Sequence, residues 1–137
     1  MCEVKTPWKD YMGDVPMHLD YFEGSMFEAV ERIAREYPDN VAFDFMGKPT
    51  TYKELIAQVE NGAKALRTIG VRQGDKVTIA MPNCPQALYL FYGVNLVGGI
   101  ANMIHPLSAE KEIEFYLNES DSVTAITLDQ FYHKFES

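Results

Sequence analysis

Charged side chains are missing from a long internal stretch, since no Asp, Glu, Lys or Arg occurs from Val77 to Ala109. Cysteine is scarce too: Cys2 and Cys84 are the only two, and their separation fits neither a disulfide framework nor a metal-ligand spacing. Basic residues number 12 against 20 acidic ones, and the net charge of −8 argues against binding nucleic acid or an anionic membrane. The first residues lack the apolar segment of a signal peptide, so we expect a cytoplasmic protein.

The uncharged stretch raises the question of a membrane span. Such a span needs about 20 consecutive apolar residues. Here Asn95 and Asn102 interrupt the run, and the pair Gly98-Gly99 is typical of a helix end. We therefore predict no transmembrane segment, but a buried helix over residues 87–99, with Gly98-Gly99 as its stop signal, followed by a central parallel strand over residues 100–104.

The first half of the chain begins with an irregular leader, residues 1–24, in which Pro, Gly and Trp occur without periodicity. Ser25 and Glu28 form a capping box, as do Thr51 and Glu54, and each predicts a helix start. The first helix is predicted to close at Pro38, and the second, longer one at Gly70. Between them, the alternation over residues 41–45 predicts a half-buried side strand or hairpin with a turn at residues 47–49.

The second half is predicted to be a βαβαβ unit over residues 76–127. Apolar runs at 76–81, 100–104 and 123–127 alternate with helical segments, and short connections imply right-handed crossovers and a parallel sheet. Strands covered on both faces read as such unbroken runs. Asn83 and Asp129 are each predicted to cap the following helix. The fold class is thus α/β, with residues 25–137 forming one subdomain.

Candidate site residues follow the strands, because ligands of open parallel sheets bind beyond the carboxyl ends of the strands. His105 lies there and can change charge near neutral pH. Asn83 lies there as well, although each of the two residues has an adequate structural explanation, as a loop histidine and as a helix cap. No GxGxxG motif follows a strand and no GxxxxGK[ST] motif occurs. The residues themselves therefore predict an α/β domain with two weak pocket candidates and no catalytic, cofactor or metal site.

Three elements resemble the opening of the AMP-forming acyl-CoA synthetase (adenylate-forming ligase) superfamily. They lie at residues 36–55, with TYKEL at 51–55; at residues 66–88, with GDKV and PN; and at residues 96–127, with GG, PL and YLNES. Their order and spacing are those of the family from about residue 25 to residue 137. The phrases FMGKPTTY and MPNCPQAL are most similar to the long-chain fatty-acid–CoA ligase branch. His105 departs from the pattern, because relatives commonly carry Asn before this proline.

The resemblance implies that a longer parent enzyme activates a fatty acid with ATP and Mg²⁺ to an acyl-adenylate and passes the acyl group to coenzyme A. The phosphate loop, the ribose-binding Asp and the catalytic lysine of the family have no counterpart in this sequence. We therefore expect an N-terminal fragment that binds none of these cofactors and is inactive alone. Its partner would be the remainder of the ligase chain, with self-association possible through an uncovered apolar face.

Two alternatives stay open at this point. The parent enzyme could activate an aryl acid or an amino acid, because the three elements are shared across the superfamily. The chain could also be a free-standing α/β binding module of flavodoxin-like shape. That class usually begins with a core strand and carries acidic pairs or a phosphate loop at the strand ends, and this sequence has neither feature.

Overall fold

The computed structural model describes residues 6–136, so Cys2, the start of the predicted leader and Ser137 lie outside the described residues. Residues 6–24 contain a 3₁₀ helix, Pro7–Tyr11, and turns with mostly exposed side chains. The remaining elements are α1 (Met26–Glu36), β1 (Val41–Phe45), β2 (Lys48–Thr51), α2 (Tyr52–Thr68), β3 (Lys76–Ala80), α3 (Pro85–Val97), β4 (Ile100–Met103), α4 (Glu110–Ser120), β5 (Thr124–Thr127) and a 3₁₀ helix, Asp129–Phe135.

Both predicted capping boxes are present. Ser25 Oγ accepts the Glu28 N–H at 3.1 Å, and a Glu28 carboxylate oxygen accepts the Ser25 N–H at 2.6 Å. At the start of α2, Thr51 Oγ1 accepts the Glu54 N–H at 3.3 Å, and a Glu54 carboxylate oxygen accepts the Thr51 N–H at 2.8 Å. Each box satisfies backbone donors that have no partner within the helix.

Strands β1 and β2 form an antiparallel hairpin. Of the two predicted forms, a single side strand or a hairpin, the second is therefore the one observed. Its turn lies at Met46 and Gly47, both with positive φ, so it comes earlier than the predicted turn at residues 47–49. The predicted alternation over residues 41–45 was wrong: Val41 is exposed, whereas the neighbours Ala42 and Phe43 both pack against the core. A register shift between Val41 and Phe43 explains the difference, because a bulge reverses the faces beyond it.

The helices α2 and α3 pack closely because glycines face each other across the contact. A Cβ on Gly93 would lie 3.2 Å from the Ala63 backbone nitrogen, and one on Gly62 would lie 3.4 Å from the Tyr89 carbonyl oxygen. The absence of a side chain at Gly62 thus lets the backbone of α3 approach closely. Helix α3 ends at Gly98 (φ +84°), as predicted, and Gln86 is its only exposed residue. Burial within the domain therefore accounts for this uncharged helix.

Strands β3, β4 and β5 form a parallel sheet in the order β4-β3-β5. The predicted α/β class and βαβαβ unit are confirmed. The prediction that residues 100–104 are the central strand was wrong, because β3 is central and β4 pairs only with β3 among residues 6–136. Val77 and Ile79 are fully buried, whereas Ile100 is 54% and Met103 is 50% exposed. Among residues 6–136, no helix is both long and apolar enough to cross a membrane.

The two faces of β3 differ in chemistry. Val77 and Ile79 point into the main apolar cluster, which also contains Leu66 of α2 and Val94 of α3. Thr78 lies on the opposite face, because side chains alternate along a strand, and is fully buried. A network of hydrogen bonds, which no local sequence pattern predicts, satisfies the Thr78 hydroxyl. Asn102 Nδ2 donates to Thr78 Oγ1 at 2.9 Å, Thr78 Oγ1 lies 2.7 Å from Ser122 Oγ, and Ser122 Oγ lies 2.7 Å from Ser120 Oγ.

Candidate functional site

Two cavities open at the carboxyl end of the parallel sheet, where the loops after β3 and β4 meet. The first, of about 440 Å³, is called the polar cavity here because it contains both predicted site residues. It is lined by Met81, Pro82, Asn83, Met103, Ile104, His105, Pro106, Leu107 and Phe131. The structure thus brings Asn83 and His105, which are 22 positions apart in sequence, to one cavity.

The second cavity, of about 470 Å³, lies between the β1–β2 hairpin and the start of α3 and is called the apolar cavity. It is lined by Phe43, Phe45, Asn83, Cys84, Pro85, Ala87, Leu88, Phe91 and Met103. No local pattern in the sequence predicts this site, because its walls come from three separate elements: the hairpin, the start of α3 and the end of β4. Asn83 and Met103 line both cavities, so the two are neighbours along the sheet edge.

Asn83 is exposed and does not cap α3, which corrects the prediction from the sequence. The N-cap is Cys84, in an extended conformation (φ −139°, ψ 162°), and no side chain caps this helix end. Pro85 at the first helical position explains the shift: it disfavours helical geometry in the residue before it and lacks an N–H of its own to be capped. The Asn83 amide consequently has no hydrogen-bond partner among residues 6–136 and faces the cavities and solvent.

His105 is exposed, and its ring is held by the turn that follows β4. Its Nδ1 accepts the Leu107 N–H at 3.2 Å, and its carbonyl oxygen accepts the Ser108 N–H at 3.2 Å. With Nδ1 acting as an acceptor, a neutral imidazole must carry its proton on Nε2. The ring therefore offers one N–H donor to a ligand.

Asp129, the third polar residue at the strand ends, is not part of either cavity. It is the first residue of the last 3₁₀ helix, whose N-cap position belongs to Leu128, so the predicted capping role was wrong. Its carboxylate accepts the adjacent Gln130 N–H at 2.8 Å. Phe131, two residues further along the chain, lines the polar cavity instead.

The described residues that line the two cavities include no Asp, Glu, Lys or Arg. A triphosphate with Mg²⁺ needs several cationic or backbone donors and acidic ligands, so these walls do not fit such a group. Nor do three or more His, Cys, Asp or Glu side chains gather anywhere in residues 6–136 as a metal site requires. The walls fit an apolar group with a small polar end.

Comparisons with known proteins agree on one family. The model of the family described as "AMP-binding enzyme" matches residues 30–137. A long-chain-fatty-acid–CoA ligase of Bacillus subtilis is 33% identical over 133 residues, which cover 96% of this chain and 24% of that protein. The chain thus spans about a quarter of the length of the curated relatives it matches.

Solved structures show the same fold. The anthranilate CoA ligase AuaEII, in complex with anthranoyl-AMP, has a TM-score of 0.77 at 21% identity, over 90% of this chain and 23% of its own. The N-terminal subdomain of Klebsiella oxytoca NpsA has a TM-score of 0.73 at 24% identity, over 77% of this chain and 28% of its own.

Proposed function

Because the chain belongs to the AMP-binding enzyme family, we propose that it is the N-terminal portion of an ATP-dependent fatty-acid–CoA ligase. The parent enzyme would join a fatty acid to ATP, releasing pyrophosphate, and transfer the acyl group from the adenylate to coenzyme A. The observation that carries this proposal is the 33% identity to a long-chain ligase over 96% of the chain. The resemblance of the three sequence elements to the superfamily is confirmed at the level of the family.

A fatty acid is favoured over an aryl or amino acid by the sequence matches. Long-chain ligases from several bacteria are 29–33% identical over most of this chain. The aryl-CoA ligases match in structure at 20–21% identity, which indicates a shared fold alone. The family match also speaks against a free-standing flavodoxin-like module.

The role proposed for this chain is structural. Its α2–α3 layer and parallel sheet form a wall of the parent's N-terminal domain, and the remainder of the ligase chain would bind ATP, Mg²⁺ and coenzyme A. The uncharged cavity walls support this division, because they offer no set of cationic donors for phosphate. We further propose a cytoplasmic location, where these substrates occur.

The proposal that catalysis lies in the remainder of the ligase chain is tested by incubating the purified chain with ATP, Mg²⁺, palmitate and coenzyme A. The Bacillus subtilis ligase serves as the positive control. We expect no pyrophosphate release and no acyl-adenylate from the chain alone; turnover would refute the proposal that catalysis lies elsewhere. In a full-length ligase carrying this sequence, palmitate should release pyrophosphate faster than benzoate or an amino acid, and the reverse order would refute the substrate class.

A further inference from the structure

We propose that the turn after β4 is a pH-sensitive switch: the neutral ring of His105 holds the turn closed, and protonation of the ring releases it. The ring and the turn belong to this chain, whatever acid the parent enzyme activates. His105, Pro106 and Leu107 are consecutive wall residues of the polar cavity, so the switch would change the shape of that wall.

Residues 105–108 form a β-turn with proline at its second position. The His105 carbonyl oxygen accepts the Ser108 N–H at 3.2 Å, which closes the turn through the backbone. Pro106 is buried, whereas His105 and Leu107 on either side of it are exposed. The proline therefore anchors the turn, and the exposed ring beside it has room to change its position.

The imidazole takes the place that an Asn or Asp side chain commonly fills in such a turn. Asn and Asp are favoured at the first position of a β-turn, where their side-chain oxygen accepts the backbone N–H two residues further on. Here it is His105 Nδ1 that accepts the Leu107 N–H, at 3.2 Å. The turn is thus closed twice, once through the backbone and once through the ring.

Histidine differs from Asn because its acceptor disappears on protonation. A neutral ring with its proton on Nε2 accepts at Nδ1, whereas an imidazolium donates from both nitrogens. A protonated Nδ1 would face the Leu107 N–H as donor against donor, so the ring must turn away and leave that N–H to water. Histidine is the side chain that changes charge between about pH 5 and pH 8. The second closure is therefore present in neutral solution and lost in mild acid.

No carboxylate next to the ring offsets this loss. The walls of the polar cavity contain no Asp, Glu, Lys or Arg, and no ion pair joins His105 to a carboxylate among residues 6–136. Two charged side chains bond to the backbone just beyond the ring's own contact. Lys134 Nζ of the last 3₁₀ helix donates to the Ser108 carbonyl oxygen at 2.9 Å, and a Glu112 carboxylate oxygen of α4 accepts the Ala109 N–H at 3.0 Å.

NMR spectroscopy of the ¹⁵N-labelled chain tests the switch at the two atoms involved. At about pH 8, we expect the ring nitrogen shifts of a neutral His105 with its proton on Nε2. Between about pH 8 and pH 5.5, the Leu107 amide resonance should titrate in step with the ring. Its exchange with water, relative to that of an unstructured peptide at the same pH, should become roughly two- to tenfold faster, the factor that a typical hydrogen bond contributes. A proton on Nδ1 at the higher pH, or a Leu107 amide that ignores the ring, would overturn the proposal.

Three variants separate the switch from the turn itself. His105→Asn keeps an acceptor that does not titrate, so the Leu107 amide should stay protected and stop responding to pH. His105→Ala removes the acceptor and should show, at about pH 8, the relative exchange that the wild type shows in mild acid. His133→Asn is the matched control, because His133 is exposed on the last 3₁₀ helix and outside the polar cavity, and it should leave the titration of Leu107 unchanged. An equal titration of Leu107 in His105→Asn, or unchanged protection in His105→Ala, would contradict the assignment.

Discussion

The contact between α2 and α3 depends on two glycines that are not equivalent. Gly93 is buried, and a Cβ there would lie 3.2 Å from the Ala63 nitrogen and 3.4 Å from the Val59 carbonyl oxygen. Both atoms belong to the α2 backbone and cannot move as a side chain can. A Cβ on Gly62 would meet the Tyr89 carbonyl oxygen at 3.4 Å, which is the start of ordinary van der Waals contact.

The difference between Gly93→Ala and Gly62→Ala isolates this steric term. Alanine in place of glycine inside a helix contributes about 1 kcal/mol of propensity at either site, so that term cancels in the comparison. Overpacking against a rigid neighbour costs about 1–3 kcal/mol. We therefore expect Gly62→Ala to be neutral or more stable than the wild type by up to about 1 kcal/mol, and Gly93→Ala to be about 1–3 kcal/mol less stable than Gly62→Ala.

The measurement is urea unfolding followed by far-ultraviolet circular dichroism, with both variants and the wild type at the same protein concentration. The denaturant slope should be unchanged, so that the midpoints report stability alone. If Gly93→Ala were as stable as Gly62→Ala, the helices could separate without cost, and the close backbone approach would not be what holds this layer together.

Two further predictions concern the caps and the buried polar network. Hydrogen bonds from the Thr51 backbone N–H and hydroxyl hold the pKa of the Glu54 carboxyl below its ordinary value of 4.5. The stabilisation from this carboxylate is therefore present above pH 4.5 and is lost as the pH falls through the lowered pKa of the folded state. The urea midpoint of the wild type should exceed that of Glu54→Gln at neutral pH and converge with it in acid; a constant gap between the two midpoints would contradict this. Thr78→Val keeps the shape but removes the acceptor of Asn102 Nδ2 and one of the two hydrogen bonds of Ser122 Oγ. It should therefore cost about 1–3 kcal/mol in urea unfolding, whereas Thr50→Val should stay within about 0.5 kcal/mol; equal losses would count against the network.

Local signals in the sequence predicted the helices well. A capping box needs only residues three positions apart, and Ser25 and Thr51 begin α1 and α2 as that pattern requires. The stop at Gly98 is equally local, because only its own positive φ is involved. Alternating apolar and helical segments then predicted the parallel class, which follows from connection lengths.

Strand order could not be predicted in the same way. The connections from β3 to β4 and from β4 to β5 allow β5 to continue outward or to return to the other side of β3, and the chain takes the second course. Residues 100–104 read as a central strand because they are apolar, yet β4 is an edge among the described strands. Asn83 has the side chain of a typical cap, but Pro85 at the first helical position makes Cys84 the N-cap.

The pairing of Asn83 with His105 was only partly predictable. Both follow carboxyl ends of parallel strands, and adjacency of β3 and β4 brings them to one cavity. Asp129 follows β5, which also neighbours β3, but its carboxylate bonds to the next backbone N–H and stays outside. Proximity of strands therefore selects candidates, and the local turn decides which of them face the cavity.

Burial within this chain does not explain the whole uncharged stretch from Val77 to Ala109. It accounts for Val77 and Val94, which are fully buried, but Ile100 and Met103 are about half exposed and still apolar. Met103 lines both cavities, whereas Ile100 lines neither. Ile100 lies at the open edge of β4, and an apolar strand edge is a template for further pairing. Two exposed apolar residues on one short strand thus have different settings: Met103 belongs to the walls of both cavities, and Ile100 lies on a strand that has no second neighbour among residues 6–136.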